Sequence, residues 1–102
     1  MYKVKVIRRI FDGSSIDDSK NFASTSRDLH LPISPFSGMT ILMPSPEVIK
    51  EVTVYADTQE VSCFLDDYYA KRYPNAWSFQ ERIDQDALNG MTLIFNNPLQ
   101  RI

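Results

Sequence analysis

The 102-residue sequence contains very little cysteine, histidine and glycine. Cys63 is the only cysteine, which excludes an intrachain disulfide and suits a reducing compartment. With a single histidine, His30, the chain cannot assemble the usual zinc ligand sets. Its glycines, at positions 13, 38 and 90, lie too far apart for a dinucleotide fingerprint or a P-loop. We therefore expect neither a cofactor nor a metal.

Long apolar runs are also missing from the sequence. The longest runs, such as residues 39–43 and 91–95, contain about five residues, whereas a membrane-spanning helix needs about 20. The first residues alternate between polar and apolar types and have no apolar signal core. We predict a soluble, cytoplasmic protein with no membrane partner, folded as one small globular domain over residues 1–102.

No catalytic signature accompanies the titratable residues. His30 is out of phase with Leu29 and Leu31 in a predicted strand, and no nucleophile motif lies beside it. Cys63 is in phase with apolar residues, which is typical of a buried, unreactive thiol. Aspartates occur as close neighbours, but adjacent residues of a strand point to opposite faces and form no ready acid–base pair. We predict no catalytic residue and no enzymatic activity.

Alternation of apolar and polar side chains predicts a series of short strands. The predicted strands are residues 2–11, 21–31, 39–43, 48–56, 60–65 and 91–95. The strands at residues 39–43 and 91–95 are compact apolar runs, so we predict that both are buried. A short polar connection, residues 57–59, joins two of them into a hairpin. The alternation breaks at residues 7–10, which predicts a bulge or the end of the first strand. Prolines on both sides of residues 39–43 predict that this strand lies at a sheet edge and is protected from further pairing. The charged first strand is a candidate for another edge strand, or for a strand that pairs with a second copy across a two-fold axis.

A helix is predicted at residues 79–88. Ser78 and Glu81 fit a capping box, and apolar side chains recur after them at helical spacing. A strand over residues 77–83 is the alternative. A second short helix is predicted at residues 67–73, with an aspartate at its start and a proline after its end. Together these elements predict an α+β fold, with a single antiparallel sheet of about five to six strands and one or two short helices on one face.

Positive charge is concentrated in the first strand. Residues 1–11 contain four basic side chains and no acidic one, although the whole chain has a net charge of −2. A basic strand face of Lys3, Lys5, Arg8 and Arg9 is therefore a candidate site for weak nucleic-acid binding. The pI of 5.2 and the absence of a recognition signature argue against nucleic acid as the partner.

Aromatic residues are concentrated between positions 64 and 79. This stretch holds six aromatic residues of a total of six Phe, five Tyr and one Trp. The plainest interpretation is that these rings pack on the sheet as core. Tyrosine, tryptophan and arginine together are also typical of interfaces, so we predict a homo-oligomeric protein-interaction module that binds a protein partner or a second copy. A small-ligand-binding domain with an aromatic-lined pocket is the alternative. The predicted contact residues are Tyr68, Tyr69, Lys71, Arg72, Tyr73 and Trp77.

Overall fold

The computed structural model describes residues 1–98, which form seven strands and one helix. The strands are β1 (Tyr2–Phe11), β2 (Asn21–Leu31), β3 (Thr40–Leu42), β4 (Pro46–Tyr55), β5 (Glu60–Leu65), β6 (Tyr68–Tyr69) and β7 (Thr92–Pro98). The helix is α1 (Phe79–Leu88). No helix within the described residues is long and apolar enough to cross a membrane.

The strands form one mixed sheet in the order β3-β4-β5-β1-β2-β7, and β6 pairs with the end of β1. Most neighbours are antiparallel, but β5 and β6 both run parallel to β1. The coarse prediction of a sheet with a short helix is therefore met, whereas the purely antiparallel sheet of five to six strands is wrong. Alternation shows which residues share a face, but it contains no information about the direction of a neighbouring strand.

β1 lies in the centre of the sheet. It pairs with β2 along its whole length without a register shift, and residues 5–7 pair with β5 on the other side. Two predictions for β1 are therefore wrong. It has no bulge at residues 7–10, and it lies neither at a sheet edge nor at a two-fold axis. The apparent break in alternation has a different cause: Arg8 is only 6% exposed and lies in phase with the buried Val6 and Ile10.

Several local predictions are confirmed. β2 spans residues 21–31, and β4 and β5 form the expected antiparallel hairpin. α1 spans residues 79–88, so the alternative strand over residues 77–83 is wrong. The predicted helix at residues 67–73 is also wrong, because its first tyrosines form β6 against the end of β1.

The two apolar runs predicted as buried strands both lie at sheet edges. β3 ends the sheet on one side, as its flanking prolines predict, and it buries Ile41 while Leu42 is exposed. β7 ends the sheet on the other side. The prediction of a buried strand at residues 91–95 is wrong, since Met91 is buried but residues 92–96 are exposed.

The hydrophobic core lies on the face of the sheet that α1 covers. Its larger cluster contains Val4, Val6, Leu31, Ile41, Met43, Ile49, Cys63, Leu65 and Met91. A smaller cluster contains Ile10, Ala23 and Ile83, with Tyr68 and Phe79 packed against it. Because side chains alternate along β1, Phe11 points to the opposite face from Ile10. Phe22 and Tyr69 contact Phe11 on that opposite face.

Candidate interaction surface

The aromatic segment continues from β6 into a loop, residues 70–78, that leads to α1. Backbone hydrogen bonds fasten the start of this loop to the first strand: the Ala70 N–H donates to the Phe11 carbonyl at 3.0 Å, and the Lys71 N–H to the Gly13 carbonyl at 3.0 Å. Its end is fixed by the capping box, in which Ser78 Oγ accepts from the Glu81 N–H at 3.2 Å and the Ser78 N–H donates back to Glu81 Oε1 at 3.2 Å. The loop is therefore held at both ends.

Tyr68 and Tyr69 point to opposite faces of the sheet. Tyr68 packs against the small core cluster, and its hydroxyl donates to the Trp77 carbonyl at 2.6 Å. The Tyr69 ring stacks on Phe11 at a centroid distance of 5.1 Å. Burial raises the pKa of both hydroxyls, and the charge of Asp67 adds to the effect at Tyr69. Tyr68 therefore supports the loop at Trp77, whereas the Tyr69 ring belongs to the opposite face.

Tyr73 and Trp77 are the exposed rings of the segment, with 69% and 41% of their surface accessible. They border an open concavity of about 480 Å³. Its lining residues are Tyr68, Tyr73, Pro74, Asn75, Ala76 and Trp77. None of these side chains is charged, so the surface is aromatic and neutral.

A buried cation lies behind this surface. Arg82 of α1 is buried, and its Cζ lies 4.8 Å from the centroid of the Trp77 ring and 5.6 Å from that of Tyr68. A guanidinium over an aromatic face is attractive by roughly 0.5–2 kcal/mol, depending on its desolvation. The contact fixes the orientation of Trp77 from its inner side.

Arg82 belongs to a buried cluster of charges centred on Asp86. The Asp86 carboxylate is fully buried and accepts hydrogen bonds from Arg8 Nε at 3.0 Å, from Thr25 Oγ1 at 2.8 Å and from Arg82. Arg8 also donates to Glu47 at 2.7 Å. Two positive and two negative groups therefore compensate one another and connect α1 to β1, β2 and β4. The sequence alone does not reveal this cluster, although the phase of Arg8 within β1 is a signal for it.

The predicted contact residues separate into two groups. Tyr68, Tyr73 and Trp77 meet at the concavity. Arg72 instead accompanies Tyr69: its Cζ lies 4.0 Å from the Tyr69 ring centroid, and its Nε donates to the Ser14 carbonyl at 3.2 Å. Lys71 is exposed.

The face opposite α1 carries a row of four aromatic rings, here called the aromatic ladder: Tyr69, Phe11, Phe22 and Phe95. It crosses β6, β1, β2 and β7 in that order. Beyond the stacked Tyr69–Phe11 pair, the centroids of Phe11 and Phe22 are 5.1 Å apart, and those of Phe22 and Phe95 are 5.4 Å apart. Such tilted and stacked pairs contribute about 0.5–1.5 kcal/mol each beyond the burial of area.

The four basic residues of the first strand do not share one face. Arg8 points to the helix side, where it is buried in the charge cluster. Arg9 lies on the opposite side and forms a 2.8 Å ion pair with Asp67. Both arginines are therefore engaged with carboxylates, which lowers the charge available to a phosphate backbone.

Lys3 and Lys5 are exposed and border a second concavity of about 360 Å³. Asp28 and Glu60 border the same concavity. Its mixture of charges differs from the uniformly basic face that nucleic-acid binding requires.

His30 and Cys63 occupy the positions that their phases predict. His30 is exposed on β2, and Cys63 is fully buried on β5. Burial raises the pKa of the Cys63 thiol, which disfavours the reactive thiolate. Within residues 1–98, no group of three or more His, Cys, Asp or Glu side chains is arranged to hold a metal ion.

Comparison with known protein families, with curated proteins and with solved structures found no significant match to this chain.

Proposed function

We propose that the protein is an interaction module that binds a protein partner through the surface formed by Tyr73 and Trp77. The observation that supports this proposal is the exposure of two large aromatic rings, 69% and 41%, on a loop whose ends are fixed. Exposed tyrosine and tryptophan side chains around a concavity are typical of the residues that dominate binding energy at interfaces.

The loop is organised before any partner binds. The Tyr68 hydroxyl holds the Trp77 carbonyl at 2.6 Å, and Arg82 lies against the inner side of the Trp77 ring. Side chains that are already ordered lose less conformational entropy on association, at a saving of about 0.5–1.5 kcal/mol for each. Trp77 can therefore act as a rigid anchor.

The charges around Trp77 indicate which partner segment fits. The lining of the concavity has no charged side chain, and the buried Arg82 cation already interacts with the Trp77 ring. The charge of Arg82 is compensated by Asp86, so no net charge faces a partner here. An apolar segment of the partner is therefore favoured over a charged one.

A small-ligand site is the second candidate, because a concavity of about 480 Å³ lies within the usual size range of ligand pockets. Such pockets enclose their ligands and aim several polar groups at them. Here the concavity is open, and the Tyr68 hydroxyl is already bonded to Trp77. These features favour a protein partner over a small molecule.

The single tryptophan of the chain makes the proposal directly testable. Peptides are selected from a phage-displayed library on the immobilised protein, and synthetic copies are then titrated while Trp77 fluorescence is followed. We expect a blue shift of the emission, because a bound peptide removes water from the ring. The Tyr73→Ala variant is expected to bind the same peptides about 10-fold to 30-fold more weakly.

The matched control is Tyr55→Ala, which removes an exposed tyrosine from β4, and it is expected to bind as the wild type does. Urea denaturation of Tyr73→Ala should give a free energy of unfolding within about 0.5 kcal/mol of the wild-type value. Peptides that bind the Tyr73→Ala variant with unchanged affinity would refute the proposed surface. A large loss of stability would instead assign Tyr73 to the core.

A further inference from the structure

β7 is an edge strand of the sheet and has no charged residue. It pairs with β2 on one side, and no strand within residues 1–98 pairs with its other side. The edge carries three consecutive exposed apolar side chains, Leu93, Ile94 and Phe95. An exposed edge presents unpaired backbone N–H and C=O groups, which are a template for another strand.

The two edges of the sheet differ in their protection. β3, at the opposite edge, has three residues and lies next to Pro44 and Pro46. Short strands, prolines and charges are the devices by which proteins prevent pairing at an edge. β7 has seven residues and no charged one, and its single proline, Pro98, is its last residue and leaves Thr92 to Asn97 able to pair. Its bulge, an extra residue between Leu93 and Phe95, places these side chains on opposite faces, so the edge is apolar on both sides.

The aromatic ladder is also incomplete at this edge. At its other end the guanidinium of Arg72 covers the Tyr69 ring, 4.0 Å from the centroid. Phe95 contacts Phe22 on its inner side, and no other ring or cation of the described residues lies against it. The outer side of Phe95 is therefore free to contact an aromatic ring from outside the molecule.

We propose that β7 pairs antiparallel with β7 of a second copy, so that two sheets join into one across a two-fold axis. Identical strands in this arrangement bring apolar side chains together and place no like charges opposite each other. A two-fold axis beside Phe95 keeps the two ladder faces on the same side of the joined sheet. The two Phe95 rings then meet and continue the ladder from one copy to the next. The contact uses neither Tyr73 nor Trp77, which remain available to a partner.

Sedimentation equilibrium at physiological salt tests the dimer. We expect a mass of twice the 11.8 kDa chain for the wild type. Ile94→Lys introduces a charge into both strands of the interface and is expected to raise the dissociation constant at least about 10-fold. The matched control is Ile33→Lys, since Ile33 and Ile94 are both 52% exposed and Ile33 lies outside the strands. This control is expected to remain a dimer.

Hydrogen exchange supplies a second measurement. In the wild type, the amides of β7 are expected to exchange more slowly as the protein concentration rises. In Ile94→Lys, unchanged protection of the β1 amides verifies that the variant is folded. If Ile94→Lys fails to fold, Thr92→Lys places the charge at the start of the same edge. A wild-type protein that is monomeric at about 0.5 mM overturns the proposal. So does a dimer that survives the edge substitutions or that is lost in Tyr73→Ala.

Discussion

A single carboxylate, Asp86, connects the helix to the sheet. It accepts hydrogen bonds from Arg8 of β1 and Thr25 of β2, and also from Arg82 one turn earlier in α1. Taking charges out of water is costly, and a buried cluster is tolerated because each charge has an opposite partner. Removing its central anion would leave two buried guanidinium groups with only Glu47 to compensate them.

The Asp86→Asn variant is therefore expected to lose about 3–5 kcal/mol of its free energy of unfolding, measured by urea denaturation. Asp84→Asn is the control, because Asp84 is exposed on the same helix and accepts one hydrogen bond from Gln80. We expect the control to lose no more than about 0.5 kcal/mol. Equal losses in the two variants would show that the buried cluster contributes no particular stability.

Cys63 provides a second prediction at the residue scale. Because the thiol is fully buried and burial raises its pKa, we expect a thiol reagent such as DTNB to react with it slowly in the native protein. Full reaction is expected once urea unfolds the chain. Rapid stoichiometric labelling in the absence of denaturant would show that the site is open to solvent.

The burial of a residue could be predicted where it follows the alternation of its strand. It could not be predicted where a charged side chain is buried by an ion pair with a distant residue. Cys63 and His30 follow the alternation of their strands. Arg8 does not look like a core residue, because its burial depends on Asp86, which lies 78 positions later in the chain. No pattern near Arg8 specifies that partner.

At the scale of elements, two aspartates organise the connection between β1 and β2. Asp12 accepts from the Lys20 and Asn21 N–H groups at 2.7 and 3.0 Å. Asp18 accepts from the Ser14 and Ser15 N–H groups at 2.9 and 2.8 Å. The Ser14 hydroxyl and these N–H groups lower the pKa of Asp18 far below its ordinary value of 3.8. Burial raises the pKa of Asp12, but its hydrogen bonds outweigh this effect, and the pKa is lowered overall.

These lowered pKa values predict how stability depends on pH. A carboxylate with a lowered pKa in the folded state stabilises the fold fully above its unfolded pKa, and this contribution is lost as the pH falls. We expect the melting temperature of the wild type to exceed that of Asp18→Asn by a constant amount above about pH 5, and the difference to shrink below it. Thermal melts between neutral and acidic pH measure this.

The control for this experiment is Asp17→Asn, the exposed neighbour of Asp18. We expect its melting temperature to follow that of the wild type across the whole pH range. A difference between wild type and Asp18→Asn that stays constant to the lowest pH would show that the Asp18 carboxylate does not act through its ionised form.

Local signals account for the elements that could be predicted. The ends of α1 follow from the capping box of Ser78 and Glu81, and the β4–β5 hairpin follows from its short polar connection. β6 could not be predicted, because Tyr68 and Tyr69 are extended only through their pairing with Ile10 and Phe11. Long-range pairing overrides the local preference of that segment for a helix.

At the scale of the whole molecule, the order of the strands was beyond prediction. The positive charge of β1 suggests an edge strand, yet β1 lies in the centre of the sheet. A central position is possible because Lys3 and Lys5 are exposed on the open face of the sheet, while Arg8 is paired with Asp86 in the buried cluster. The apolar run at residues 93–95 suggests burial, yet it lies on an edge strand. The predicted contact residues include Tyr73 and Trp77, which border the concavity. Their separation from Tyr69 and Arg72 depends on the two faces of the sheet, which the sequence does not specify.

The central position of β1 has a consequence for how the chain folds. β1 and β2 are neighbours in sequence and can form a hairpin early, whereas the other side of β1 must wait until Ser62 reaches Lys5. Pairing across so long a loop has a high entropic cost and is slow compared with a hairpin. Until that step is complete, the first hairpin has an unpaired strand on a growing or refolding chain. We therefore expect β5 to pair with β1 later than β2 does, and the unpaired side of β1 to be open to other chains until then.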